Sequence, residues 1–188
     1  SKAIYDAMQA TLTGQMSAQD ALDQAVARLR QDVVTLAGNA STLHSAAGQL
    51  TAVSGADALT HAIEAFTTRR REPSGSIVHE HVFLGKNVLS DHHALHAISL
   101  ISSSLRQACD NGADTGARER LMLGATLAGL AFGTAGTAIA HAAQYPIGAL
   151  THTPHGAGVA AMMPYVMEFN RGWCEPELAE IGKAMGLD

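Results

Sequence analysis

Cysteine is nearly missing from this chain: of 188 residues only Cys109 and Cys174 are cysteines, far apart and in no Cys-x-x-Cys pair. That excludes a disulfide-built scaffold and a thiolate zinc finger, and it fits a reduced, cytoplasmic chain. Aromatic residues make up 4% of the sequence while Ala and Gly abound, a composition suited to closely packed helices rather than a β-sandwich. Positive charge is scarce too. Lys and Arg number 12 against 17 acidic residues, and the one basic run is Arg69-Arg70-Arg71. Nucleic acid is therefore not an expected partner. No Gly-x-Gly-x-x-Gly turn appears, so no dinucleotide-binding fingerprint is present. No secretory leader pattern opens the sequence as given, and neither an internal repeat nor a heptad array is found.

One stretch lacks charge altogether. Leu121 to Ala140 runs uncharged over about the length that crosses a bilayer, and it holds Gly129-Leu-Ala-Phe-Gly133, a helix-packing pattern. It is mostly Ala, Gly and Thr and it leads into a histidine, so the expectation is a buried small-residue helix and no membrane partner.

What the chain does have is helical periodicity. Ser17 is a plausible N-cap, and Leu22, Val26, Leu29, Val33 and Leu36 make an apolar stripe that Gly38-Asn39 would end. Ser, Thr, Gly and Ala dominate from Gly38 to Thr51, where a seam is expected. Residues 1–50 are thus expected to form one helical segment of separate origin and residues 51–188 another domain. Helices are expected over Ala56 to about Thr68, His92 to about Gln107 with Ser90-Asp91 as its cap, Ala117 to about Phe132, and onward to about Ala143. Pro146 and Gly148 should stop that last helix. A helix from His155 should break at Pro164, and a final one should begin at Pro176. The fold class expected is all-α.

The chemistry-bearing residues are Asp57, His61, His141 and His155. Asp57 and His61 stand four apart, which on a helix projects both from one face, one turn apart. His141 and His155 lie in a separate tract rich in small residues. Three imidazole nitrogens and one carboxylate oxygen suit Fe2+ or Zn2+ and suit calcium or magnesium poorly. A second set, His79, His81, His92, His93 and His96, reads as loop and solvated helix face, although His92 and His96 share the four-residue spacing. Tyr145 follows His141 by one turn and is a candidate catalytic residue, with a packing tyrosine as the plainer alternative.

Three motifs carry a resemblance: Asp57-Ala-Leu-Thr-His61-Ala-Ile-Glu-Ala-Phe66; Gly136-Thr-Ala-Ile-Ala-His141 followed by Tyr145-Pro-Ile-Gly148 and Pro154-His155-Gly156; and Pro164-Tyr-Val-Met-Glu-Phe-Asn170. Together they resemble the metal-binding half of the iron-containing (group III) alcohol dehydrogenases. The tract Gln144-Tyr145-Pro146-Ile147 looks closest to the branch with hydroxyacid–oxoacid transhydrogenases. The resemblance implies a helical bundle like that family's C-terminal domain, without its nucleotide-binding α/β domain. It also implies one iron or zinc held by Asp57, His61, His141 and His155. In typical members a second histidine stands where this chain has Tyr145.

The function so implied is metal-dependent, NAD(P)-linked oxidation of a small alcohol or hydroxyacid by the complete enzyme. This chain alone is not expected to bind NAD(P) or to transfer hydride, and its cofactor-contacting residues are unknown. The alternative is a non-catalytic, self-associating helical remnant or composite, and a homo-oligomer is expected on either reading.

Overall fold

The computed structural model describes residues 43–187. The expected stripe of residues 22–36 and its cap at Ser17 lie outside them, as does most of the expected N-terminal segment. Six helices follow in order: α1 Leu43–Thr67, α2 Ile77–Glu80, α3 Val88–Asp110, α4 Thr115–Ala135, α5 Ile139–Thr151 and α6 His155–Ala184. Among the described residues there is no strand, only an isolated antiparallel bridge between Arg70 and Gly85 that pins the connection between α1 and α3. The all-α expectation holds.

Helix α1 packs against α3, α4 and α6; α3 packs along α4, and α5 rests on α6. The core where they meet is built from a few large side chains, Ile63, Ile98, Ile101, Val159, Met163 and Ile181, set among many buried alanines. Alanine at these contacts lets helix axes come close. Helix α4 shows the consequence. Its buried stripe is Ala117, Leu121, Gly124, Ala128, Ala131 and Ala135, while Met122, Leu123 and Leu130 are exposed. The uncharged stretch is therefore a small-residue packing helix, as expected, but its larger apolar side chains face outward. It is also not continuous. Helix α4 ends at Ala135, Gly136 takes φ 91°, and α5 leaves at 102° to α4. Among the described residues no single helix is long and apolar enough to cross a membrane.

Several boundaries differ from the sequence expectation. Helix α1 already runs from Leu43, through the region where a seam was expected, because Ser, Thr and Ala tolerate a helix whose neighbours supply the packing. Helix α3 starts at Val88, capped by Asn87 instead of Ser90-Asp91. The Asn87 side chain accepts from the Leu89 and Ser90 amides, and Ser90 Oγ accepts from the Asn87 amide in return, a reciprocal pairing that satisfies free donors of the first turn. Helix α5 runs through Pro146 and Gly148 to Thr151. Pro146 is exposed, so water can satisfy the carbonyl that its missing N–H leaves free. Helix α6 likewise runs through Pro164 and bends only at Cys174, whose φ −139° and ψ 31° are non-helical. Pro176 thus sits in the first turn after a break, where proline is tolerated.

Candidate metal centre

Helix α1 delivers Asp57 and His61 as a pair. The His61 Nδ1–H donates to the Asp57 carbonyl at 2.9 Å, which leaves its Nε2 free. Phe132 of α4 stacks on the His61 ring, with centroids 4.3 Å apart and planes at 25°, so the imidazole is held from one side by an apolar wall. His141 comes from the first turn of α5 and is almost wholly buried. Its ring centroid lies 4.1 Å from that of His61, and its Nε2 is 3.5 Å from Asp57 Oδ1. His155 opens α6, half-exposed at the rim, with Nε2 3.7 Å from the same Oδ1.

Gly156 makes that approach feasible. A Cβ there would stand 2.4 Å from the Val53 carbonyl oxygen and 2.9 Å from Asp57 Cβ. Only a residue with no side chain lets the start of α6 come so near the carboxylate-bearing turn of α1.

One donor atom from each of Asp57, His61 and His141 lies within 4.8 Å of the others, an arrangement that could hold a metal ion. Asp57 Oδ1 and His141 Nε2 are buried and have no hydrogen-bond partner. Buried polar atoms are rarely left so. His141 Nε2 and His155 Nε2 stand 3.5 and 3.7 Å from Asp57 Oδ1, too far for hydrogen bonds. They match donors converging on a shared third atom: two ligands each about 2.1 Å from a zinc at the tetrahedral angle lie roughly 3.4 Å apart. The donor set fits a nitrogen-preferring divalent cation.

In the metal-free site the electrostatics favour an ion pair between His141 and its carboxylate neighbours. Burial by itself raises the Asp57 carboxyl, but the His141 side chain and the nearby His61 and His155 outweigh it and hold Asp57 below its ordinary 3.8. Burial and the neighbouring His141 push His61 down. Burial works against His141 as well, yet its contacts with Asp57 and Glu64 prevail and lift it to about 9. Before a metal arrives, His141 is therefore the protonated member of the cluster at neutral pH.

Sequence reasoning passed over Glu64. It lies on α1 and is 1% exposed. Its Oε2 accepts from His141 Nδ1 at 2.6 Å and from the Ala138 amide at 2.7 Å, and its Oε1 accepts from the Ala140 amide at 2.7 Å. The signal was its position, two turns after Asp57 inside the quoted motif. Tyr145, by contrast, is 69% exposed, so it is not a packing tyrosine. Its ring stands 5.7 Å from that of His155.

The other candidates are not brought to this site. His92, His93 and His96 stay together on α3, with ring centroids 5.7–6.4 Å apart, and His79 and His81 are exposed near the short α2. At the end of α5, His152 takes the left-handed conformation (φ 54°), with its amide donating to the Gly148 carbonyl and its side chain exposed. Lys86 turns to Glu177 at 3.2 Å and sits 4.4 Å over the Phe66 ring.

A family model described as the Fe-containing alcohol dehydrogenase family, C-terminal, matches residues 51–188. The chain belongs to the iron-containing alcohol dehydrogenase family. It is 37% identical over 159 residues to a probable alcohol dehydrogenase, EutG, of Escherichia coli K12, covering 85% of this chain and 36% of that protein. To long-chain-alcohol dehydrogenase 1 of Geobacillus thermodenitrificans it is 42% identical over 138 residues, 73% of this chain and 31% of the relative. Among solved structures, a 1,3-propanediol oxidoreductase superposes with a TM-score of 0.66 at 34% identity, covering 75% of this chain and 33% of its own. An alcohol dehydrogenase from Oenococcus oeni gives 0.65 at 31% identity, with 75% and 33% covered. The chain thus spans about a third of the length of the relatives it matches.

Proposed function

We propose that this chain is the metal-holding helical part of an NAD(P)-linked alcohol dehydrogenase, with Asp57, His61, His141 and His155 as ligands of one iron or zinc. The observation that carries the reading is the convergence of Asp57, His61 and His141, one ligating atom of each within 4.8 Å of the others, with Asp57 Oδ1 and His141 Nε2 buried and making no hydrogen bond. A bound metal would supply Lewis-acid polarisation of a substrate hydroxyl oxygen. The chain's own residues prepare that chemistry. Asp57 contributes the one negative charge among the four donors. Phe132 keeps water from one face of His61. His155 and the exposed Tyr145 mark the open side, by which a small alcohol or hydroxyacid would enter, and the Tyr145 hydroxyl would hold the substrate's proton there.

The hydride acceptor, NAD(P), belongs to the nucleotide-binding part of the complete family enzyme, and this chain by itself is proposed not to turn over. Two free cysteines accord with a reducing, cytoplasmic setting.

The test is elemental mass spectrometry of the purified chain beside Asp57→Ala/His61→Ala. The expected result is about one iron or zinc per chain, absent from the variant. No metal in either would overturn the reading.

A second reading concerns assembly. Val82, Leu150, Phe169 and Trp173 are 73–91% exposed, large apolar side chains that a second copy would cover in a self-associating module. Light scattering behind size-exclusion chromatography tests it: an oligomer supports it and a clean monomer overturns it.

A further inference from the structure

We infer that Glu64 is a positioning residue with two coupled tasks: it caps α5 from outside that helix and fixes which nitrogen of His141 faces the metal site. The inference rests on the metal reading above and adds a residue to it. Helix α5 begins at Ile139 with Ala138 in the N-cap position and no capping side chain of its own. The first amides of a helix have no partner within it, and an anion placed there also meets the positive end of the helix dipole. Glu64, two turns after Asp57 on α1, provides both by accepting from the Ala138 and Ala140 amides. The same carboxylate takes the Nδ1–H of His141 at 2.6 Å. A carboxylate has no proton to give, so Nδ1 must be the donor and Nε2 is left to point at Asp57 Oδ1. Carboxylate partners of this kind fix the tautomer and orientation of a ligating histidine.

The three bonds also explain why the chain can turn by 102° between α4 and α5 without losing its ligand. Gly136 allows the turn, and Glu64 then ties the incoming backbone and side chain to the helix that carries Asp57 and His61. Three ligands on two helices are so referred to one rigid element.

Glu64→Gln separates this role from simple packing. It keeps the shape and loses the obligatory acceptor. An amide NH2 facing His141 can donate to Nδ1, which moves the ring proton to Nε2 and blocks the ligand. The probe is Co2+ added to the 188-residue chain, followed by visible absorption, with Nδ1–H of His141 read by NMR in the Zn2+-loaded form. Glu64→Gln is expected to weaken Co2+ binding by roughly 10- to 100-fold, to alter the cobalt band intensity and to remove the downfield Nδ1–H signal. Glu64→Asp, which retains the acceptor, should recover part of the affinity. Because loss of the α5 cap also lowers stability, the same Glu64→Gln change is made in His141→Ala: there its effect on Co2+ affinity should vanish while its effect on the melting temperature persists. Unchanged affinity and an unchanged Nδ1–H signal in Glu64→Gln, or an equal loss of affinity in the His141→Ala background, would overturn the role assigned to Glu64 alone. Failure of the unaltered chain to take up Co2+ would overturn the metal reading, and this inference with it.

Discussion

Asp57–His61 on α1 and His92–His96 on α3 share a four-residue spacing and a side-by-side placement on a helix. In the first pair, two further elements arrive opposite it. The start of α5 brings His141 and the start of α6 brings His155, and the contributed atoms are partly or wholly buried. In the second pair nothing of the kind arrives: His92 and His96 are exposed, their rings 6.4 Å apart, and the neighbouring polar groups are another histidine and the helix's own surface. Spacing makes a chelating pair available. Convergence of separate helices and removal of water make it a candidate site, because only there do donors lose their solvent partners and stand to gain from a shared cation.

The comparison can be broken most decisively by metal content. Asp57→Ala/His61→Ala should abolish the bound ion, whereas His92→Ala/His96→Ala should leave it at the level of the unaltered chain; loss in the second variant would mean that the two pairs are not different in kind.

Backbone approach gives the next largest effect. Gly156→Ala drives a methyl into the Val53 carbonyl and Asp57, and it should destabilise the chain by about 1–3 kcal/mol and lower its metal occupancy. Gly133→Ala on α4 meets open space and should instead stabilise the helix by about 0.5–1 kcal/mol. Thermal melts of the two variants would tell them apart, and equal shifts would contradict the close packing of α6 on α1.

Titration sharpens the contrast further. In the metal-free chain the folded His141 is lifted from 6.5 to about 9. Its contribution to stability is therefore fully present below about 6.5 and declines as pH rises through about 9. Asp57 has the opposite sign: held below 3.8, it contributes above that value and its contribution fades as pH falls through its lowered one. Urea midpoints followed from mildly acid to alkaline pH should fall at the alkaline end, and His141→Gln should flatten that limb. The same lifted value means that metal uptake near neutral pH displaces a proton from His141, so calorimetry in buffers of different ionisation enthalpy should show proton release.

The smallest effect is expected at Tyr145. With its side chain mostly in solvent, Tyr145→Phe should change stability by no more than about 0.5 kcal/mol and leave metal content alone. A larger stability change would show that the hydroxyl has a structural partner.

The four candidate ligands were legible in the sequence because each stands in a short motif whose meaning is local: an i,i+4 pair on a helix, a histidine after a glycine-led turn, a histidine between proline and glycine. Glu64 lay in the same motif and was passed over, since nothing local distinguishes it from any other glutamate on a helix. Its partners, Ala138, Ala140 and His141, are more than seventy residues away. The prolines misled in the other direction. Pro146 and Pro164 each remove a backbone donor without forbidding a helix; at the exposed Pro146 water can satisfy the freed carbonyl, and which side of α5 faces solvent is a tertiary outcome.

By itself the sequence determined that the chain is helical, rich in small packing residues, and supplied with one carboxylate and three imidazoles in metal-ligand spacing. Those properties follow from side-chain size, periodicity and donor chemistry, all of which are written residue by residue. The tertiary structure decided that His141 is buried and bonded to Glu64, that Gly156 lets α6 touch α1, that Tyr145 is left in the open, and that His92 and His96 remain a surface pair. Those outcomes depend on how α1, α5 and α6 approach one another, which is set by the packing of the whole core and cannot be read from any one segment.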